Sequence, residues 1–208
     1  MSEVRVVLAE SPGWLADAAS VLARGGLVAF PTDTVYGIGA VAFDPVAVAL
    51  IYRAKGRRED RPIPVLVADR EGIERLAVGV PDGAFRLADA FWPGPLTLVV
   101  PKRSGLPTQV SHGPTVGLRA PNHPVALEIL RSAGPLATSS ANRSNRPPST
   151  LPKEVRAELA GHLDLLVDGG PAPGGTPSTV LDCTVDPPRI LRAGPVSLEE
   201  ILSVWGKA

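Results

Sequence analysis

A short apolar run that stops at a proline most constrains the fold of this chain. The run Gly26–Phe30 predicts a buried strand that ends at Pro31, because proline cannot donate to a sheet ladder. A polar stretch, Thr32–Tyr36, follows at the carboxyl end of this strand, where open α/β sheets bind ligands. Gly37 and Gly39 would then let the backbone turn or approach a ligand closely. Taken alone, the stretch is also compatible with an ordinary polar loop.

The composition is that of a globular protein with enough apolar residues for a substantial core. Of its 208 residues, 44% are hydrophobic and 20% charged. The 21 basic and 21 acidic residues cancel, so phosphate binding would require a local cluster. Cys183 is the single cysteine, which excludes an internal disulfide and favours a cytoplasmic location. No apolar run is long enough to span a bilayer, so we expect no membrane partner.

Prolines and glycines separate the apolar segments and predict many turns between short elements. Strands are predicted over residues 4–8, 26–30, 63–67, 96–100, 116–119, 136–140, 165–167, 178–182 and 190–192. Helices are predicted to begin near residues 11, 45, 81, 125, 152 and 198. Asp44 and Ser197 have the spacing of helix N-caps, and Ser197 begins a capping box.

The segment 53–62 holds five cationic side chains and two acidic ones. A charge run is usually a solvated face, and this interpretation stays open for Arg53, Arg58 and Arg61. Lys55 and Arg57 are the predicted functional residues, because alternating residues of an extended loop point the same way and can converge on one anion.

A second polar stretch, Leu136–Asn142, leads from a predicted strand into consecutive hydroxyls and an amide. A serine nucleophile would need a base in reach, and no histidine lies in a hydrolase-like elbow. These groups are therefore predicted to hydrogen-bond a polar ligand. The alternative is a Ser/Thr-rich turn in which Thr150 caps the next helix.

Polar and cationic side chains thus follow several predicted strands. They are Thr34, Arg119, Ser140 with Asn142, and Ser178 with Arg192. Each charge-assisted hydrogen bond contributes roughly 1.5–3 kcal/mol, so several arginines can hold a triphosphate without a Walker motif, which this chain lacks. The residues alone predict nucleotide or phosphate binding in an α/β fold.

Five motifs, in the same order, resemble those of the YrdC-like threonylcarbamoyl-AMP synthases. They are Thr32–Gly37, Lys55–Arg57, Ser140–Asn142, Ser178–Val180 and Leu191–Gly194. Each motif is weak by itself, but all five together cover nearly the whole chain. The resemblance implies an α/β fold with one domain over residues 1–208, in which a twisted mixed sheet and flanking helices surround a cationic cavity.

The resemblance also implies a nucleotidyltransferase that converts L-threonine, bicarbonate and ATP into threonylcarbamoyl-AMP and pyrophosphate. The product would serve threonylcarbamoyladenosine modification at tRNA position 37, through separate transferase partners. Mg²⁺ would arrive with ATP, without dedicated protein ligands. The alternative is a non-catalytic YrdC-like module that binds RNA or a nucleotide, with weak tRNA binding through the basic segment 53–61.

By motif position, the resemblance implies a role for each predicted site residue. Threonine would be held by Thr34, Arg119, Ser140 and Ser178, and ATP by Arg57, Thr115, Asn142, Thr150 and Arg192. Lys55 and Arg57 would be catalytic, with Lys55 near the phosphates or the carboxylated amine.

The chain departs from many relatives, which have Glu, Asn and His where it has Asp33, Arg61 and Leu66. We also expect it to lack the linker and extra carboxyl-terminal domain of longer relatives. The glycine- and proline-rich loop 168–178 is therefore predicted to act as a partial lid.

Overall fold

A computed structural model describes residues 4–206, and it confirms the predicted mixed α/β architecture in one ten-stranded sheet. The order of strands across the sheet is β1-β8-β2-β3-β7-β4-β6-β5-β9-β10. The strands are β1 (Arg5–Leu8), β2 (Val28–Phe30), β3 (Gly37–Val41), β4 (Val65–Leu66), β5 (Leu96–Pro101), β6 (Thr115–Arg119), β7 (Leu136–Ser140), β8 (Leu165–Asp168), β9 (Thr179–Asp182) and β10 (Arg189–Arg192).

Seven helices flank the sheet in the described part of the chain. They are α1 (Trp14–Ala23), α2 (Pro45–Lys55), α3 (Glu71–Leu76), α4 (Asp82–Phe91), α5 (Pro124–Ala133), α6 (Pro152–Leu159) and α7 (Leu198–Trp205). Six were predicted, and the short helix α3 was not. The predicted caps are confirmed: the Asp44 carboxylate accepts from two backbone N–H groups of α2, and Ser197 forms a capping box with Glu200. Within residues 4–206, no helix has the length and apolar character needed to cross a bilayer.

Of the two roles predicted for Gly37 and Gly39, the turn is wrong, because both residues lie inside strand β3, and the close approach to a ligand stays a prediction. A Cβ at Gly37 would lie 2.9 Å from Cγ2 of Thr138, and one at Gly39 would lie 3.0 Å from the Phe30 ring. Phe30 and Thr138 belong to β2 and β7, the strands on either side of β3. Glycine is therefore needed here for the packing of neighbouring side chains, and not for a turn.

The alternation of side chains along the strands divides the sheet into two different faces. One face packs against α2, α3, α4, α6 and α7 in the larger core cluster. On the opposite face, α1 and α5 cover the half around β1, β8 and β2. The other half of that face, over β4, β6, β5 and β9, forms the floor of a cavity.

Replacing Asp44 with alanine should lower the free energy of unfolding by about 1 kcal/mol. The carboxylate accepts from the backbone N–H groups of Val46 at 2.9 Å and Ala47 at 3.0 Å, and alanine leaves both donors without this partner. Urea denaturation measures the loss, and Asp44→Ser is the matched control because serine can still cap the helix. Equal stabilities of the two variants would contradict the capping role.

Candidate functional site

The cavity on the sheet face has a volume of about 450 Å³ and collects most of the predicted site residues. Seven of them line it: Thr34, Arg57, Thr115, Arg119, Ser140, Ser178 and Arg192. Further hydroxyl-bearing residues line it: Thr32, Tyr36, Thr138 and Ser139 belong to the two polar stretches that the sequence analysis connected with ligand binding, whereas Thr97 and Ser111 were not predicted. The polar part of the wall thus consists of hydroxyl groups and three guanidinium groups.

The side chains meet because they share a sheet face, and not because their strands end at the same edge. Strand β4 runs parallel to β6 but antiparallel to β7. The carboxyl ends of β6 and β7, at Arg119 and Ser140, therefore lie at opposite edges of the sheet. Along β6, Thr115, Gly117 and Arg119 line the cavity, whereas the residues between them belong to the core on the other face.

Arg119 is the most deeply buried cation of the cavity wall, with a side chain that is 8% exposed. Its Nη2 donates to Oδ1 of Asp33 at 2.5 Å, Nη1 donates to Oγ1 of Thr34 at 3.2 Å, and Nε donates to the carbonyl of Gly94 at 2.9 Å. Burial lowers the pKa of this guanidinium, and the charge of Asp33 opposes that effect. Three of the five N–H groups are used, so two remain for a ligand.

Arg192 and Ser178 form a second polar group at the cavity wall. Nη2 of Arg192 donates to the carbonyl of Ser178 at 2.7 Å and to its Oγ at 3.1 Å. The hydroxyls of Ser178 and Thr97 lie 2.9 Å apart. Thr97 was missed, although one signal was available: it is a polar residue between Leu96 and Leu98 in a strand that is otherwise apolar.

Lys55 does not line the cavity, although it donates a hydrogen bond to Ser140, which does line it. Its buried ammonium donates to the carbonyl of Ser140 and, at 2.6 Å, to that of Asn142. Burial and then the charge of Arg57 lower its pKa to about 8. Lys55 thus connects the end of α2 to the turn after β7.

Asn142 and Thr150, the other two predicted ATP residues, also lie outside the cavity lining. The Asn142 amide donates to the carbonyls of Arg143 and Arg146, both at 2.8 Å, while its buried Oδ1 has no partner among residues 4–206. The backbone N–H of Thr150 donates to Glu154 at the start of α6, but the N-cap residue of this helix is Leu151, so the alternative in which Thr150 caps the helix is wrong. Their roles toward ATP stay predictions.

The glycine-rich loop 169–178 packs directly against the Thr32–Tyr36 segment. The Tyr36 hydroxyl donates to the carbonyl of Gly170 at 2.6 Å, and the N–H of Gly175 donates to that of Thr34 at 2.6 Å. A Cβ at Gly174 would lie 2.6 Å from the same Thr34 oxygen. A second cavity of about 600 Å³ lies beside this contact, and Thr34 lines both cavities.

Comparisons with known proteins identify the family of this chain. Residues 20–194 match the Sua5_yciO_yrdC family, described as telomere recombination. A Mycobacterium tuberculosis relative is 48% identical over 194 residues, which are 92% of this chain and 89% of that protein. The threonylcarbamoyl-AMP synthase of Bacillus subtilis is 45% identical over 92% of this chain and 56% of its own length.

Among solved structures, Pyrococcus abyssi Sua5 complexed with L-threonine superposes with a TM-score of 0.92 and 42% identity. The alignment covers 99% of this chain and 61% of the Sua5 chain. This chain therefore spans somewhat more than half of the Pyrococcus and Bacillus proteins, and nearly all of the mycobacterial one.

The stability cost of burying the Lys55 charge should depend on pH. Its folded pKa of about 8 lies below the ordinary lysine pKa of 10.5, so the unfolded chain binds more protons between these two pH values. The stability of the wild type, relative to Lys55→Met, should therefore be constant below about pH 8 and rise from there to about pH 10. Urea titrations of both proteins across this range measure the difference, and a flat difference would contradict the lowered pKa.

Proposed function

The chain belongs to the Sua5/YciO/YrdC family, and from this premise we propose that it is a threonylcarbamoyl-AMP synthase, a nucleotidyltransferase. The observation that carries the proposal is that three arginines and several hydroxyls line one cavity on one face of the sheet. A wall of guanidinium and hydroxyl groups can hydrogen-bond the carboxylate of an amino acid and the phosphates of a nucleoside triphosphate. The names of the relatives support the same activity.

The positions of the arginines support a division of the cavity between the two substrates. Arg119 is fixed by Asp33 and Thr34, and with Ser140 and Ser178 it would bind L-threonine. Arg57 and Arg192 would bind the phosphates of ATP, beside Thr115. Lys55 holds the backbone of Asn142 and Glu154 holds that of Thr150; by motif position, both residues would complete the nucleotide site.

The proposed reaction has two steps. The threonine amine first takes up bicarbonate with loss of water, which gives an N-carboxylate. An oxygen of this carbamate then attacks the α-phosphorus of ATP, and the bond from that phosphorus to the bridging oxygen breaks to release pyrophosphate. Because a carbamate is labile, the site must mainly position the reactants, exclude water and stabilise the accumulated negative charge.

Mg²⁺ is proposed only as a companion of ATP. Among residues 4–206, no group of three His, Cys, Asp or Glu side chains is placed to hold a metal ion. The wall consists of hydroxyls and guanidinium groups, and the nearby Asp33 carboxylate is paired with Arg119. The phosphate oxygens of ATP would therefore supply the ligands of the ion.

The product would be consumed by a separate transferase that modifies tRNA, and we place the reaction in the cytoplasm, where ATP and tRNA are available. Direct tRNA binding would be weak, because the overall charge is balanced. The exposed Arg53, Arg58 and Arg61 of the basic segment support at most a local contact with tRNA.

Pyrophosphate release from ATP and bicarbonate tests the proposal. Release should depend on L-threonine, and Arg57→Ala should lower kcat/KM for ATP by at least about tenfold, because it removes a charge-assisted contact. Arg58→Ala is the matched control: Arg58 is exposed, pairs with Asp60 and lies outside the cavity lining, so its effect should stay within about twofold.

The alternative, a non-catalytic RNA- or nucleotide-binding module, predicts a different result in the same experiment. It would give no threonine-dependent pyrophosphate release and a salt-dependent association with tRNA. That outcome would refute the proposed synthase activity.

A further inference from the structure

A buried tyrosine hydroxyl joins two loops that contribute to the cavity wall. Tyr52 belongs to α2, is only 2% exposed and does not itself line the cavity. Its hydroxyl lies 2.7 Å from the carbonyl oxygen of Gln109 and 3.0 Å from that of Arg61. Both oxygens can only accept, so the tyrosine donates to them. Burial raises the pKa of Tyr52, which keeps this proton on the hydroxyl.

Each of the two loops brings a polar side chain to the cavity. The loop between α2 and β4 contributes Arg57, and the loop between β5 and β6 contributes Ser111. The backbone N–H of Ile63 in the first loop donates to the carbonyl of Val110 in the second at 3.0 Å. Together with this contact, the Tyr52 hydroxyl holds the two loops side by side.

The side chain of Arg57 lies on the backbone that Tyr52 holds. Its Nη2 donates to the carbonyl of Pro62 at 3.1 Å, and its Nε lies 3.5 Å from the carbonyl oxygen of Arg61. The backbone N–H of Arg57 also donates to the carbonyl of Tyr52 at 2.9 Å. Tyr52 therefore fixes the backbone of Arg57 and one of the two carbonyls beside its guanidinium.

Resting on the proposed function, we infer that Tyr52 is a positioning residue, which holds the Arg57 guanidinium in the direction needed to bind the phosphates of ATP. A free arginine side chain loses several rotatable bonds when a ligand orders it. Less freedom is lost when the carbonyls beside the guanidinium are already fixed. Without the hydroxyl, the carbonyls of Arg61 and Gln109 lose this donor, and the loop that carries Arg57 is released.

Tyr52→Phe tests the inference, because it removes the hydroxyl and keeps the ring in the core. We expect the KM for ATP to rise about fivefold, which corresponds to one neutral hydrogen bond of about 1 kcal/mol. The KM for L-threonine should stay within about twofold. Pyrophosphate release at varied concentrations of each substrate measures both constants. A merely structural defect would lower kcat through the fraction of folded enzyme and leave both KM values unchanged.

Asp44→Ala is the matched control, because Asp44 caps the other end of the same helix. It should lower stability and leave the KM for ATP within about twofold of the wild type. KM does not depend on the amount of folded enzyme, so the comparison stays valid if Tyr52→Phe is partly unfolded. An equal rise of this KM in the two variants would overturn the inference.

A double-mutant cycle with Arg57→Ala tests whether Tyr52 acts through the guanidinium. Calorimetry with ATP and Mg²⁺ gives the dissociation constants of the wild type, both single variants and the double variant. Tyr52→Phe should weaken ATP binding about fivefold in the wild type, but by less than about twofold in the Arg57→Ala background. An undiminished effect in that background would show that Tyr52 acts independently of Arg57, and the inference would be wrong.

The outcomes distinguish this inference from the proposed function. The cycle measures ATP binding alone, so it still decides on Tyr52 if no threonine-dependent pyrophosphate release is found and the proposed synthase activity fails. If the wild type does not bind ATP at all, the inference and the proposed function fail together.

Discussion

The buried ion pair between Arg119 and Asp33 is the interaction on which the rest of the site depends. It joins the last residue of β6 to a segment 86 positions earlier in the chain, and the same guanidinium reaches the carbonyl of Gly94. A charge buried without partners would cost several kcal/mol, and the three contacts of Arg119 offset this desolvation. One of these contacts, the hydrogen bond from Arg119 to the Thr34 hydroxyl, also fixes Thr34 at the cavity wall.

The core and the cavity are built by the same strands through a simple alternation. On β6, Val116 and Leu118 pack into the larger core, and the residues on either side of them line the cavity. The packing of the core therefore sets the spacing of the polar groups on the opposite face. This arrangement places rigid strands, and not only loops, under the substrates.

Much of the fold and of the candidate site was predictable, because the signals were local. The caps at Asp44 and Ser197 follow from two or three neighbouring residues, Arg192 lies in one of the five motifs, and Arg119 ends a predicted strand. The remaining features depend on strand neighbours that the sequence order does not reveal. The strand at Gly37 and the opposite ends of β6 and β7 follow from non-local strand pairing, and the position of Lys55 follows from a contact between α2 and the turn after β7. Thr97 was missed for the same reason, since its partner Ser178 is 81 residues away.

The cavity takes residues from Thr32 to Arg192, so its wall exists only when most of the chain has reached its native arrangement. Partial opening of the sheet would remove several substrate contacts at once, and no short fragment would keep them. A bound substrate therefore acts on the global unfolding equilibrium of the protein, because it binds only the assembled state. A higher substrate concentration therefore raises the free energy of unfolding of the protein.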